Sequence, residues 1–217
     1  MGAFPAEPRT LRGAIVAVEP RSPLSRFVLF GYNPDQVTRT LKPRGPGGGT
    51  RASPGDAHRI WGAPVETLSM TVEVDATDAL ETGDPVAAVS GIAPQLSALE
   101  MLLYPSSVLV IANTALLAAG TIEILPPEGP LTVLVWGPGR VVPVRIDSLE
   151  ITEQAFSPTL VPIRASVALA ATVLTYDDLQ VTDPGYALFL VHQVLKETLA
   201  VVGGVSGALA AVTGRGA

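Results

Sequence analysis

Hydrophobic and polar residues alternate along much of the chain, and a period of two is typical of β-strands with one buried face. The alternation is clearest in residues 131–179, where short turns separate consecutive hydrophobic runs. It predicts strands over 131–136, 140–152 and 161–174, and a phase slip near Asp147 indicates a β-bulge in the second of them. We expect the other elements to be arranged around this sheet. The residues predicted to face inward in the last two strands are Val142, Val144, Ile146, Leu149, Ile151, Ile163, Ala165, Val167, Leu169 and Ala171.

Four further strands are predicted in the first third of the chain. Residues 13–20, 26–32 and 36–41 are rich in β-branched or alternating residues. An Asn-Pro-Asp turn at 33–35 separates the second strand from the third, because Asn and Asp tolerate turn geometry and Pro fixes φ. The fourth strand, over 63–75, alternates most regularly. Its predicted inward residues are Leu68, Met70, Val72 and Val74.

Two stretches change to the spacing of three and four residues that marks an amphipathic helix. The first covers 94–103 and begins at a proline, which suits the first helical turn. The second covers 185–202 after an Asp-Pro start, and two consecutive glycines at 203–204 are expected to interrupt it. Residues 106–125 fit either a helix or a strand, with strand character at their end. The apolar stripe of the second helix comprises Leu188, Val191, Leu195, Leu199 and Val202.

These elements predict a mainly β protein of the α+β class, with a flanking helix and a C-terminal helix. We divide the chain into a flexible arm at 1–12, a β domain at 13–182 and a C-terminal helical extension at 183–217. The Gly- and Pro-rich segment 43–62 is predicted to be a flexible loop within the β domain.

The composition narrows the functional classes. Hydrophobic residues make up 47% of the chain and charged residues 16%, which allows a sizeable core. The net charge of −6 argues against a nucleic-acid-binding protein, because such proteins need a basic face to meet phosphates. The chain has no cysteine, so disulfides, thiolate zinc sites and cysteine nucleophiles are excluded.

Residues capable of catalysis or metal binding are few. His58 and His192 are the two histidines, and neither stands in an HExxH motif. No GxSxG nucleophile motif occurs. The acidic run at 75–84 lacks the spacing of a calcium loop and is predicted to be a solvated loop, while Asp177 and Asp178 are interpreted as solvated charges at a strand end. We therefore predict no catalytic residue, no metal site and no cofactor.

Two uncharged stretches, 105–122 and 198–214, have a length at the lower limit for crossing a membrane. Both are rich in Gly, Ala and Ser. We expect them to form buried core or interface, with no stable membrane span.

A series of short motifs follows in a fixed order between residues 13 and 180. FGYNPD at 30–35 precedes a polar alternating strand, and PVETLSMT occupies 64–71. Trp136-Gly137 follows the next hydrophobic strand, IDSL stands at 146–149, and AFSP and PIRA follow within 155–165. In order and spacing these motifs resemble the contractile injection system tube protein domain, which occurs in tube-like adaptor proteins of phage tail-like particles. The long Gly-rich loop and the apolar segment at 105–127 depart from that pattern.

The resemblance implies a phage tail-tube-like β-barrel or sandwich that assembles as a hexameric ring and is not an enzyme. Such a ring would link the inner tube to the baseplate hub or spike of a bacterial contractile particle, with possible contacts to the sheath. The subunit would be cytoplasmic during assembly and then part of the particle. Members of the family often carry a LysM module, which this sequence lacks, so peptidoglycan binding is not implied. The residues expected at interfaces are Asn33, Pro34, Asp35, Trp136, Phe156, Tyr186, Leu188, Val191 and Leu195.

Other functions stay open on the sequence alone. Within the same kind of particle, the ring could lie at the tube end or near the cap. A membrane-associated protein would use 105–122 or 198–214. A glycan-binding β-protein would place Trp136 beside carboxylates from the 75–84 segment, although a tryptophan at a strand end more often packs on a neighbouring hairpin.

Overall fold

The fold is described from a computed structural model, which defines residues 12–18, 26–29, 33–45, 59–118, 120 and 129–213. These ranges contain seven strands and five helices. The strands are β1 (Ala14–Val18), β2 (Arg26–Leu29), β3 (Val37–Lys42), β4 (Val65–Asp75), β5 (Leu131–Val135), β6 (Val141–Phe156) and β7 (Pro162–Val173). The helices are α1 (Thr77–Glu81), α2 (Pro85–Ser90), α3 (Ala93–Glu100), α4 (Ser107–Ala118) and α5 (Pro184–Thr213).

All seven strands belong to one antiparallel sheet with the order β2-β1-β5-β6-β7-β4-β3. The prediction of a mainly β, α+β protein with a C-terminal helix is confirmed. Strands β2 and β3 are the two edges, and within the described residues they do not pair with each other. Each edge therefore carries backbone groups able to pair with another chain.

The core lies on one face of this sheet, which we call the inner face. Strand β7, which lies between β6 and β4, has an alternating burial pattern, and its inward residues Ala165, Val167 and Leu169 are at most 3% exposed. They face Val74, Val72 and Met70 of β4 across the ladder. Helix α3 covers this face with Leu96 and Leu99. Each fully buried side chain of this size contributes about 1.5–3 kcal/mol, so the sheet and α3 form the stable part of the molecule.

The predicted β-bulge is present. The pairing of β6 with β7 shifts between Ile146 and Ser148, and Asp147 is the extra residue. Beyond the bulge the strand continues to Phe156, four residues past its predicted end at 152. Leu149 and Ile151 are partly buried against the core, as the alternation indicated.

In the middle of the chain the structure corrects one assignment and decides another that was open. The acidic run is not a loop, because α1 occupies half of it and Asp84 caps the next helix by accepting a hydrogen bond from the Val86 N–H at 2.8 Å. Carboxylates stabilise helix N-termini, which explains why acidic residues favour helices here. The ambiguous segment forms helix α4, and the strand expected at 121–125 lies outside the described residues. The arm at 1–11 and the loop at 46–58 also lie outside them.

Helix α5 differs from its prediction in length and in orientation. It runs through Gly203 and Gly204 without a break to Thr213. Glycine lowers helix stability by about 1 kcal/mol per residue, but it does not force a turn as proline does. The predicted stripe is not the buried face: Val191, Leu199 and Val202 are 60–69% exposed. The residues that pack on the sheet are Gly185, Phe189 and His192.

Candidate functional site

The sheet carries a groove on the face opposite the core, which we call the outer groove. Its volume is about 920 Å³. Its floor consists of small side chains, Ala168 and Ala170 of β7, and three carboxylates lie around it. No Lys, Arg or His is among its lining residues, so the groove is acidic. The carboxylates are Asp35, Glu73 and Glu150.

The turn predicted as an interface forms one wall of this groove. Asn33, Pro34 and Asp35 all line it. The side chain of Asn33 also accepts a hydrogen bond from the Gly13 N–H at 2.8 Å, which fixes the turn to the start of β1. The turn at 33–35 and the outer face of the sheet are therefore parts of one continuous surface.

The other predicted interface residues lie at the two ends of β6 and on α5. Trp136 precedes the hairpin that leads into β6 and packs partly buried on the core. The same hairpin contacts α5, since a Cβ at Gly139 would lie 3.8 Å from Leu195 Cδ2. Phe156 ends β6 at the opposite end and is 49% exposed. On α5, Tyr186, Leu188 and Leu195 are partly buried and Val191 is 69% exposed.

Helix α5 is anchored in its first half only. Phe189 belongs to the core and stacks edge-on against Tyr176 at a ring-centroid distance of 5.7 Å. From Glu197 to Gly204 every side chain is exposed, including Val201 at 67% and Val202 at 60%. At 1.5 Å per residue, this 30-residue helix is about 45 Å long. Its second half therefore extends away from the anchored part.

Helix α4 is the second apolar element without cover. None of its residues is buried, although its sequence SVLVIANTALLA contains no charge. Apolar side chains are exposed on all sides of it, so it has no polar face to turn towards water. The exposed fractions are 71% for Val108, 40% for Leu109, 47% for Val110, 69% for Ile111, 51% for Leu116 and 52% for Leu117.

A charged cluster lies at the end of the inner face where α5 crosses the sheet, and sequence reasoning missed it. Glu66 of β4 is 5% exposed. Its Oε1 accepts a hydrogen bond from Arg39 Nε at 2.7 Å, and its Oε2 accepts one from Lys196 Nζ at 3.1 Å. The buried carboxylate thus joins β3, β4 and α5. The sequence signal was present, because Glu66 has the same phase in β4 as the inward Leu68 and Met70.

Two further basic groups lie within electrostatic reach of this carboxylate. His192 stands one turn before Lys196 on α5 and is 7% exposed, and its Nδ1 is buried without a hydrogen-bond partner. Burial lowers the pKa of His192, and the positive charges of Lys196, Arg39 and Arg140 lower it further. Burial raises the pKa of Glu66, but hydrogen bonds from Arg39 and Lys196 outweigh it and hold the net value below 4.5. At neutral pH the cluster therefore contains an ionised Glu66 and a neutral His192.

Asp177 and Asp178, which were predicted to be solvated charges at a strand end, both accept hydrogen bonds in the loop after β7. Asp178 accepts hydrogen bonds from the Thr175 N–H at 3.0 Å and from Arg44 NH2 at 2.8 Å. These bonds place the pKa of Asp178 below its ordinary value, although burial acts in the opposite direction and is the largest single effect. Asp177 accepts a bond from the Ala63 N–H at 3.0 Å. Both residues have structural partners, which explains their position without any acid–base role.

In the parts of the chain that the structure describes, no three His, Asp or Glu side chains are grouped so that they could hold a metal ion. One helical stretch, Pro184–Gly204, is long and apolar enough to cross a membrane by length and composition, and 11% of its most apolar window is buried.

No protein-family model matches the chain, and no curated protein matches it either.

Proposed function

We propose that the protein is a structural ring subunit of a contractile, phage tail-like particle and that the ring joins the inner tube to the baseplate hub. The observation that carries the proposal is the uncovered apolar surface of α4 and of residues 197–204 of α5. A monomer gains nothing from these side chains, since they contact water. A subunit in an assembly can bury them against its neighbours.

The free energy available from this surface is considerable. Six apolar side chains of α4 are 40–71% exposed. Burying the exposed part of each contributes about 1 kcal/mol, so α4 alone offers roughly 6 kcal/mol before the cost of association. The exposed valines and leucine of α5 add to this sum. In a closed ring such contacts repeat at every subunit boundary, so their contributions add up around the ring.

The sheet supports the same function. Both edge strands are open within the described residues, so one edge of a subunit can lie beside the opposite edge of the next. The outer groove has a floor of small residues and acidic walls, and a face of this kind suits contact with water or with a polar partner. A ring that buries the apolar helices and leaves this polar face exposed satisfies both surfaces.

The motifs that resemble the contractile injection system tube domain lie within this sheet. Residues 64–71 belong largely to β4, residues 146–149 contain the β-bulge of β6, and residues 162–165 begin β7. This placement supports the proposal because the motifs occupy strands of the predicted type. A ring at the tube end or near the cap is the alternative within the same class.

Membrane association is a second candidate, favoured by the apolar stretch Pro184–Gly204. The contacts of α5 argue against it. Phe189 and His192 are buried on the sheet and Lys196 is bonded to Glu66, so insertion of this stretch would break the core. The uncharged residues beyond that anchor, 198–213, number 16 and would span about 24 Å, which is less than the roughly 30 Å of a hydrocarbon layer. Glycan binding has less support, because Trp136 packs on the core.

Mass photometry of the purified chain, alone and mixed with the tube and hub proteins encoded beside it, tests the proposal. We expect rings of about six subunits or a stable complex with those neighbours. Val201→Asp should abolish assembly, whereas Val181→Asp should preserve it, since these valines are 67% and 77% exposed but Val181 lies outside α4 and α5. A wild-type chain that stays monomeric in both conditions would refute the proposal. Release from liposomes only by detergent would favour membrane association.

A further inference from the structure

The charged cluster contains more positive charge than its one carboxylate neutralises. Arg39, Lys196 and Arg140 are cations, and Glu66 is the anion they share. Both oxygens of Glu66 are already engaged, Oε1 by Arg39 and Oε2 by Lys196. Counted over the described residues, the cluster therefore carries two more positive charges than its carboxylate neutralises, in a chain whose net charge is −6. Partly buried charges without a counter-ion are costly, so an anion bound here would be stabilised.

Arg140 is placed in this cluster by the topology of the sheet. It immediately precedes β6, whose first residues lie at the same end of the sheet as the last residues of β7 and the first residues of β4. The hairpin before it contacts Leu195 of α5, next to Lys196. The backbone carbonyl of Arg140 accepts a hydrogen bond from the Trp136 N–H at 2.7 Å, which fixes the position of the residue. Among the described residues, no hydrogen bond or ion pair is formed by its guanidinium group.

His192 supplies the second observation. Its Nδ1 is the one buried side-chain nitrogen or oxygen without a hydrogen-bond partner in the part of the chain described. Burying such a group without a hydrogen-bond partner costs about 1–3 kcal/mol. A ligand that forms a hydrogen bond with Nδ1 would remove this cost. Protonated imidazole donates from both nitrogens, and its charge is favourable beside an anion. His192 and Arg140 thus offer unused hydrogen-bonding groups in the same cationic region.

We propose that Arg140 and His192, with Lys196 and Arg39 around them, form a binding site for a small oxyanion of the carboxylate, sulfate or phosphate type. The planar fork of a guanidinium group matches two oxygens of such an anion. Glu66 repels an anion, so the ligand lies on the side of Arg140 and His192, away from the shared carboxylate. The ligand is small, because His192 is 7% exposed and Phe189 is 6% exposed beside it.

The directions in which the pKa values of His192 and Arg140 are shifted agree with this assignment. Burial lowers the pKa of His192, and it also lowers the pKa of Arg140, with the charge of Arg39 acting in the same direction. A negatively charged oxyanion between these groups would favour their protonated forms and so raise both pKa values. The oxyanion can come from a free ion or from an Asp or Glu side chain of a second copy of this chain, and these two sources supply the same chemistry.

The pKa of His192 measured by NMR of its imidazole is the first test, in sulfate and in chloride at equal ionic strength. Sulfate keeps its charge through the titration, and the chain has two histidines, so a His192→Gln sample assigns the signals. We expect the pKa of His192 to rise by about one unit in sulfate and the melting temperature to rise with it. Arg140→Gln should remove both effects and Arg140→Lys should weaken them. Arg145→Gln, at a position 67% exposed and paired with Asp147, should leave them unchanged.

The concentration dependence of assembly identifies the source of the oxyanion. Saturable sulfate binding at concentrations where the chain is monomeric assigns the site to a free ion. Association that sulfate inhibits, and that Arg140→Gln weakens while Arg145→Gln does not, assigns it to a carboxylate of a second copy. If sulfate changes neither the pKa of His192 nor the melting temperature, and Arg140→Gln leaves association unchanged, the site does not exist. Assembly through α4 and α5 can persist in that case, so the two proposals fail separately.

Discussion

Replacing Glu66 with Gln removes the one negative charge that Arg39 and Lys196 share. Breaking a buried ion pair from one side typically costs about 3–5 kcal/mol, because the remaining charge loses its partner. Here the Glu66 side chain is 7% exposed, but those of Arg39 and Lys196 are 29% and 39% exposed and keep part of their hydration. We therefore expect the free energy of unfolding to fall by about 2–3 kcal/mol. For a chain of this size that corresponds to a melting temperature lower by about 5–10 °C.

Urea unfolding followed by circular dichroism measures this difference, and Glu73→Gln is the matched control. Glu73 lies on the same strand but on the exposed face, so its substitution should cost less than about 0.5 kcal/mol. The pKa of Glu66 is lowered in the folded state, so its contribution is present above about pH 4.5 and is lost as the pH falls through the folded pKa. A loss in Glu66→Gln no larger than in Glu73→Gln, or one that persists at a pH where Glu66 is protonated, would refute the reasoning.

Two further substitutions test other parts of the fold. The wild type should lose stability below about pH 6.5, because the unfolded chain binds a proton that the buried imidazole of His192 resists, and His192→Leu should not show this loss. The free energies of unfolding obtained from urea titrations at pH 7.5 and pH 5.5 should therefore differ by about 1 kcal/mol less in the variant than in the wild type. An equal difference in both proteins would contradict this. Gly91→Ala should destabilise by at least about 2 kcal/mol, because Gly91 has φ of 53° and a Cβ there would lie 2.1 Å from the Pro162 carbonyl oxygen. The control is Gly83→Ala, which shares a positive φ of 74° but meets no atom within 4 Å, so a similar loss in both variants in thermal unfolding would show that the contact with Pro162 is unimportant.

The strands were predictable because one rule decides them. In a sheet with one covered face, alternation of apolar and polar residues follows directly from the geometry of the strand. Residues 68–74 alternate between apolar and polar without interruption, and residues 163–173 do so apart from the outward Ala168 and Ala170; β4 and β7 appear there. Even the bulge was visible, since an extra residue at Asp147 moves the following inward positions by one.

The helices were less predictable because their surroundings decide which side is buried. On α5 the large apolar residues form one stripe, yet the sheet contacts Phe189 and His192 on a different side. The apolar stripe therefore does not coincide with the buried face, although Leu188 and Leu195 at its edge are partly buried. Helix α4 has apolar residues on every side, which gives the hydrophobic period no preferred direction.

The charged cluster could be predicted only in part. The phase of Glu66 shows from the sequence that a carboxylate enters the inner face, and a buried carboxylate requires basic partners. Which basic residues provide them depends on where α5 crosses the sheet, and Lys196 is 130 residues away in sequence. Contacts of this range leave no local pattern. The cluster is therefore a product of the tertiary fold rather than of any single element.

The stable core and the exposed apolar helices have different roles. The inner face is filled by α3 and the anchored half of α5, and its central residues are almost fully buried. Among the described residues, the core includes none from α4 or from residues 197–204 of α5, so the exposed apolar side chains of these segments do not contribute to it. Keeping such side chains in water favours aggregation, and a chain retains them when a specific contact buries them. The same helix that carries this surface also holds the charged cluster, through Lys196 and His192. If assembly uses residues 197–204 of α5, it engages the same helix that this cluster anchors, and we expect assembly to depend on the charge state of the cluster.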